Sequence, residues 1–216
     1  MNKSQLPINM DTTLIIFQII ILIFAVIIHE VSHGVIALAL GDPTAKLAGR
    51  LTLNPIPHID IYGSIILPLL MGIASSGAFM FGYAKPVPFN PYLLRDQKWA
   101  PALVALAGPG SNILLALGLG ALYRIAGLFM VIPQEVAQLF GIAVIINIVL
   151  AVFNSIPIPP LDGSKMIAPL LPYNIIRSKA YAVLEEQGMF IVLIFALFGF
   201  GLISPFIFRL TNLILG

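Results

Sequence analysis

His29-Glu30-Val31-Ser32-His33 is the part of this 216-residue chain best equipped for chemistry. The pattern is H-E-x-x-H. On a helix, positions i and i+4 share a face, so His29 and His33 offer two imidazole nitrogens to one metal ion. Glu30 then stands beside that ion. From there it can take a proton from a water whose pKa zinc lowers to about 7. The pattern sits within an almost unbroken apolar stretch from Leu14 to about Leu40. In lipid each ionisable side chain costs on the order of 2–3 kcal/mol or more unless it is paired or used. A lone histidine in such a helix is ordinarily satisfied by a backbone carbonyl. Here three ionisable groups fall within five positions, and they include two of the chain's three histidines, so a metal site is the stronger reading.

Two histidines do not complete a catalytic zinc site, which usually has three protein ligands and one open position. The chain has no cysteine, so the third ligand is a His, Asp or Glu. The candidates are His58 and Asp60, on a proline-rich connector, and Asp162, in Asn154-Ser155-Ile156-Pro157-Ile158-Pro159-Pro160-Leu161-Asp162-Gly163. Prolines force the helix before Asp162 to unwind near Pro157, freeing backbone groups that need polar company. Unwound backbone at membrane depth is tolerated where it lines a polar cavity, and a carboxylate delivered there is well placed for a metal.

Composition says what must position these residues. The chain is 59% hydrophobic, with a mean hydropathy of +1.03. It is only 9% charged, against roughly a quarter in an average soluble domain. A soluble fold of this size lacks the polar residues to coat itself, so an all-α polytopic membrane protein is expected. The absence of cysteine excludes disulfides and thiol catalysis, and a net charge of +2 gives no footprint for nucleic acid. Apolar segments are expected at 14–40, 62–82, 100–123, 134–155 and 189–213, after a polar arm at 1–13. That gives four or five transmembrane helices in a single domain spanning 1–216. A signal peptide is disfavoured, since the first apolar run is too long and no small-x-small site follows it.

The connectors 43–61, 83–99 and 156–188 hold eight of the eleven basic residues: Lys46, Arg50, Lys85, Arg95, Lys98, Lys165, Arg177 and Lys179. The positive-inside rule places all three in the cytoplasm. Segment 62–82 then has both ends on one side and is expected to dip in and return, although an ordinary span with an imperfect charge bias is the alternative. Gly63, Pro68, Gly72 and Gly77 make it a poor straight helix. With the arm outside, the first helix carries His29 and His33 to the cytoplasmic half, and Asp162 arrives from the same side. A full span at 62–82 would put Asp162 on the opposite face.

The pairing of an intramembrane H-E-x-x-H with a downstream N-x-x-P and L-D-G resembles the site-2 protease family of intramembrane zinc metalloproteases. Ala107-Gly108-Pro109-Gly110-Ser111-Asn112 is similar to the family's A-G-P-x-x-N. Gly41-Asp42-Pro43-Thr44, Asn54-Pro55 with His58-Ile59-Asp60, and Lys85-Pro86-Val87-Pro88 resemble its small branch without PDZ or CBS modules. The resemblance implies one zinc ion held by His29, His33 and Asp162, with Glu30 as general base. It places Asn154 close to the active site, where its amide would meet substrate backbone or the oxyanion; capping carbonyls freed by Pro157 is the alternative role. It also implies a strand-like connector near 45–60 that offers an edge to unfolded substrate. Asn112 is expected as a helix-packing or second-tier hydrogen-bonding residue, and His58 as a second-tier partner, a replacement ligand or simply a connector residue.

The activity implied is hydrolysis of peptide bonds within or next to transmembrane segments of membrane proteins, at the cell membrane, with the active site toward the cytoplasmic half. The partners implied are a membrane-protein substrate and the lipid bilayer; self-association stays open. A divalent-metal transporter would need ligands in series across the membrane, whereas these groups collect at one depth. A catalytically inactive scaffold would not need an intact Glu30.

Overall fold

The structure is a computed structural model that describes residues 10–74, 82, 84–176 and 178–216. Nine α-helices are described: α1 (Met10–Ala39), α2 (Thr44–Leu47), α3 (Leu67–Ala74), α4 (Ala100–Phe129), α5 (Gln134–Asn154), α6 (Asp162–Ile167), α7 (Tyr173–Ile176), α8 (Lys179–Ile194) and α9 (Phe200–Leu215). Four helical stretches are long and apolar enough to cross a bilayer: Thr12–Ala39, Ala100–Phe129, Gln134–Asn154 and Lys179–Gly199. No strand occurs among the described residues. The connector expected to be strand-like near 45–60 is instead the short helix α2, an irregular run, and a 3₁₀ turn at Ile56–His58. The chain is thus an all-helical, multi-pass membrane protein.

Helix α1 takes in Met10–Thr13, which the sequence assigned to the polar arm; residues 1–9 of that arm lie outside the described residues. Helices α1 and α4 run antiparallel. Ala25 and His29 of α1 meet Asn112 of α4, His33 meets Val104, and Ala37 packs with Ala100 and Val104. Small residues make this close approach possible where no hydrophobic force drives helix association. Helix α5 crosses back, and Val144 and Ile148 pack with Ala116 of α4 and Ile207 of α9. A Cβ on Gly120 would strike Ile214, so α4 and α9 also touch closely.

Helices α8 and α9 are joined by a π turn, Phe195–Gly199, into one rod beginning at Lys179. Its 37 residues make about 55 Å, well beyond an apolar core of about 30 Å. Val192, Ile207 and Ile214 are among its residues that face the bundle.

Residues 62–82 are described only in part: a π turn over Ile61–Ile66 leads into α3, and 75–81 lie outside the described residues. The ends of the excursion are fixed. The Lys85 N–H donates to the His58 carbonyl at 2.9 Å, and Arg50 Nη2 donates to the Lys85 carbonyl at 2.6 Å. A single crossing would separate these ends by about 30 Å. The two connectors that flank this segment thus meet each other.

Candidate metal centre

Three helices deliver the site. His33 lies six residues before the end of α1, about 9 Å along the axis, so the histidine pair sits toward one end of the bundle. Helix α5 stops at Asn154, three residues ahead of Pro157, as the proline pattern requires. The chain then turns, and Asp162 opens the short helix α6 at that same end. Gly163 is demanded by this return: a Cβ there would collide with the carbonyls of Ser155 and Ile156. Gly188 of α8 likewise lets that helix pack onto the carbonyl of Pro159, bracing the turn from behind.

Asp162 Oδ2 lies 3.1 Å from His29 Nε2 and 3.1 Å from His33 Nε2. His29 and Asp162 are buried and His33 is half-buried. The ring partners fix the tautomers. His33 Nδ1 donates to the Val104 carbonyl at 2.6 Å. His29 Nδ1 donates to Asn112 Oδ1 at 2.7 Å, and Asn112 is oriented by donating its own Nδ2 to the Ala25 carbonyl and to Asn147 Oδ1. With both Nδ1 atoms engaged as donors, the Nε2 atoms are the ones turned toward the carboxylate, the orientation in which two imidazoles and a carboxylate can share one cation.

The donor set fits zinc. Two imidazole nitrogens and a carboxylate oxygen are the ligand types of a catalytic zinc, and tetrahedral ligands at about 2.0 Å stand about 3.3 Å apart, close to the separations seen. Gly108 of α4 faces the same point; a Cβ there would collide with the Nε2 atoms of both histidines. The helix yields this space only because residue 108 has no side chain.

Glu30 is half-buried beside the pair, and its Oε2 accepts the Val87 N–H at 2.8 Å. His29, Glu30, His33, Asn154, Asp162 and Lys165 all line one cavity of about 160 Å³. Asn154 also donates Nδ2 to the Leu150 carbonyl at 2.9 Å, a cap on its own helix. That carbonyl lies within α5 and is not one of those Pro157 frees, so this contact is a local one on the helix. Of the other third-ligand candidates, neither joins the cluster. Asp60 Oδ1 accepts the Gly63 N–H at 2.7 Å and caps the turn at Ile61. His58 is buried with Nε2 donating to the Thr52 carbonyl at 2.9 Å, closing the connector loop.

Sequence reading missed five contributors: Gly108, the Val87 N–H, the Val104 carbonyl, Asn147 and Lys165. Asn147 left a signal, a lone amide in the apolar run Val144–Leu150. Lys165 left a weaker one, a cation one helical turn beyond Asp162.

A helical bundle built for lipid and a buried two-histidine, one-carboxylate cluster with a glutamate beside it define the class: a multi-pass membrane metallopeptidase. Comparisons with known proteins agree. Residues 119–198 match the model of peptidase family M50. The chain is 37% identical over 183 residues to the candidate zinc metalloprotease YwhC of Bacillus subtilis (strain 168), covering 82% of this chain and 78% of that protein. It is 32% identical to the candidate zinc metalloprotease Rip2 of Mycolicibacterium smegmatis over 77% of this chain and 61% of that one. It is 30% identical to the candidate zinc metalloprotease sll0528 of Synechocystis over 70% of this chain, but only 30% of that longer protein. No solved structure matches the chain significantly. The chain belongs to peptidase family M50, the site-2 protease family.

Proposed function

We propose that this protein is an intramembrane zinc endopeptidase that cuts peptide bonds within or next to the membrane-spanning segments of other membrane proteins. The observation that carries the reading is the convergence of His29, His33 and Asp162, with ligand atoms within 4.8 Å of one another, inside a bundle of lipid-facing helices. These three side chains would hold one zinc ion. When bound, the ion polarises the scissile carbonyl and makes water nucleophilic at neutral pH.

The chain's own residues supply the rest. Glu30 takes the proton of the attacking water on its carboxylate and returns it to the departing amine nitrogen. Asn154 lines the cavity where its amide meets substrate backbone or the developing oxyanion. The apolar α1, α4 and α5 keep lipid and bulk water away from the cluster. Eight basic residues in the connectors 43–61, 83–99 and 156–188 support an orientation with the site toward the cytoplasmic half of a cell membrane and the N-terminal arm outside.

The test is the Glu30→Gln variant, purified and reconstituted with membrane proteins from cells. It retains one zinc per chain, loses cleavage, and traps substrates identifiable by mass spectrometry. Cleavage at the wild-type rate by Glu30→Gln refutes the mechanism.

A further inference from the structure

The segment Ala84–Asn90 passes beside the site without regular secondary structure, and Pro86, Val87 and Phe89 line its cavity. Prolines at 86, 88 and 91 fix φ and remove three donors, leaving N–H groups only at Lys85, Val87, Phe89 and Asn90 over 85–91. Three of those four have defined acceptors. Lys85 donates to the His58 carbonyl at 2.9 Å, Val87 to Glu30 Oε2 at 2.8 Å, and Asn90 to Asp42 Oδ2 at 2.5 Å. The central donor therefore meets the glutamate, while the outer two are anchored elsewhere.

A buried charge stands at each end of the segment, Asp42 on the Asn90 N–H and Arg50 on the Lys85 carbonyl. Asp42 is 0% exposed; its Oδ1 accepts the Thr44 N–H at 2.9 Å and the Thr44 hydroxyl. Burial pushes its carboxyl upward, but the hydrogen bonds from Thr44 and Asn90 outweigh this and hold it below the ordinary aspartate value. Arg50 is 7% exposed and fastens the Lys85 carbonyl at 2.6 Å. Neither residue lines the cavity or belongs to the metal cluster. A buried charge is expensive unless it fixes something.

We infer that Asp42 and Arg50 are positioning residues for Glu30: they stretch the proline-stiffened segment 85–90 between them so that the Val87 N–H holds Glu30 Oε2 and leaves Oε1 as the oxygen free to take a proton. The role rests on Glu30 being the base of the proposed protease, but the geometry is testable without proteolysis. A stiff segment clamped at both ends transmits a loss at either end to its centre. The Gly41-Asp42-Pro43-Thr44 and Lys85-Pro86-Val87-Pro88 motifs are then two halves of one device.

Hydrogen exchange read by mass spectrometry on the full-length, zinc-loaded protein tests this, because the prolines leave few exchanging amides in 85–91. In wild type the Val87 amide is protected. Asp42→Ala and Arg50→Met each accelerate exchange there by about tenfold or more, the scale expected for losing a charge-assisted hydrogen bond. Arg50→Lys restores protection, and Glu30→Ala exposes Val87 while leaving Asn90 protected. With fluorescent casein as an unstructured substrate, Asp42→Ala lowers kcat about tenfold with KM within about twofold and zinc content unchanged. Unchanged Val87 protection in both Asp42→Ala and Arg50→Met overturns the inference. So does loss of zinc in step with protection, which marks a general structural role. Cleavage by Glu30→Gln would sink the protease mechanism but leave the exchange result to decide the clamp.

Discussion

Replacing Gly108 by alanine adds one methyl group to α4, and the structure says where it goes. The new Cβ stands 2.5 Å from His29 Nε2 and closer still to His33 Nε2, whereas ordinary contact begins at 3.4 Å. Each ring must retreat by about 0.9 Å, several times the roughly 0.2 Å tolerance of a metal–ligand distance. Overpacking of this kind costs about 1–3 kcal/mol, and since the strained atoms are the proposed ligands, most of it falls on metal affinity. Zinc affinity should therefore drop roughly 5- to 150-fold. Gly110 provides the control two residues along the same helix: a Cβ there meets nothing within 4 Å. Gly110→Ala should keep zinc affinity and raise helix stability by up to about 1 kcal/mol. Titration against a chromophoric chelator, with zinc content by elemental analysis and Tm on the same samples, separates the two. Wild-type affinity in Gly108→Ala, or an equal loss in Gly110→Ala, refutes the claim that Gly108 is kept small to admit a metal site.

Other expectations follow from single contacts. Asn112→Leu removes the acceptor at His29 Nδ1 and should weaken zinc binding about 10- to 100-fold, measured by the same chelator competition. Lys165→Met removes a cation that lines the cavity without belonging to the metal cluster; kcat/KM should fall about tenfold or more with zinc retained, and Lys165→Arg should recover part of it. Because the folded-state value of Asp42 lies below its unfolded value, its contribution to stability is complete above about pH 4 and disappears as pH falls through the folded value. Thermal denaturation in detergent should show wild type losing more Tm than Asp42→Asn on acidification below pH 4.

Much of the site was legible because polar residues in an apolar chain have few alternative employments. His29 and His33 announced themselves by cost and spacing, and Pro157 announced the end of α5; Asp162 was one of three candidates, favoured by its proline-broken segment and by the family resemblance. Helix ends were harder. Hydropathy reports what lies in lipid, not where a helix stops, so α4 runs to Phe129, past Arg124, and the last rod begins at Lys179 rather than 189. Glu185, Glu186 and Gln187 lower the hydropathy of that stretch yet are good helix formers. The connector near 45–60 was expected to resemble a strand by analogy with relatives. Its turns are set instead by Asp60 accepting from Gly63 and His58 donating to Thr52, local bonds that compete with a sheet ladder. The Val87 N–H and Val104 carbonyl were invisible because a backbone group carries no residue type.

Asn147 shows how far the chemistry of His29 extends beyond its motif. An asparagine amide can be turned end for end, and in the other sense Asn112 would present Nδ2 to His29 Nδ1 and favour the opposite tautomer. Here Asn112 Nδ2 already faces two acceptors, the Ala25 carbonyl and Asn147 Oδ1. Asn147 is fixed in turn, since its Nδ2 donates to the Ala143 carbonyl at 2.9 Å. Turning Asn112, which is 0% exposed, would set its oxygen against two oxygens, forfeiting two hydrogen bonds at about 1 kcal/mol or more each. The order of determination therefore runs from α5 to α4 to α1: a backbone carbonyl sets Asn147, Asn147 and Ala25 set Asn112, and Asn112 sets the proton on Nδ1. That proton leaves the Nε2 lone pair of His29 facing Asp162.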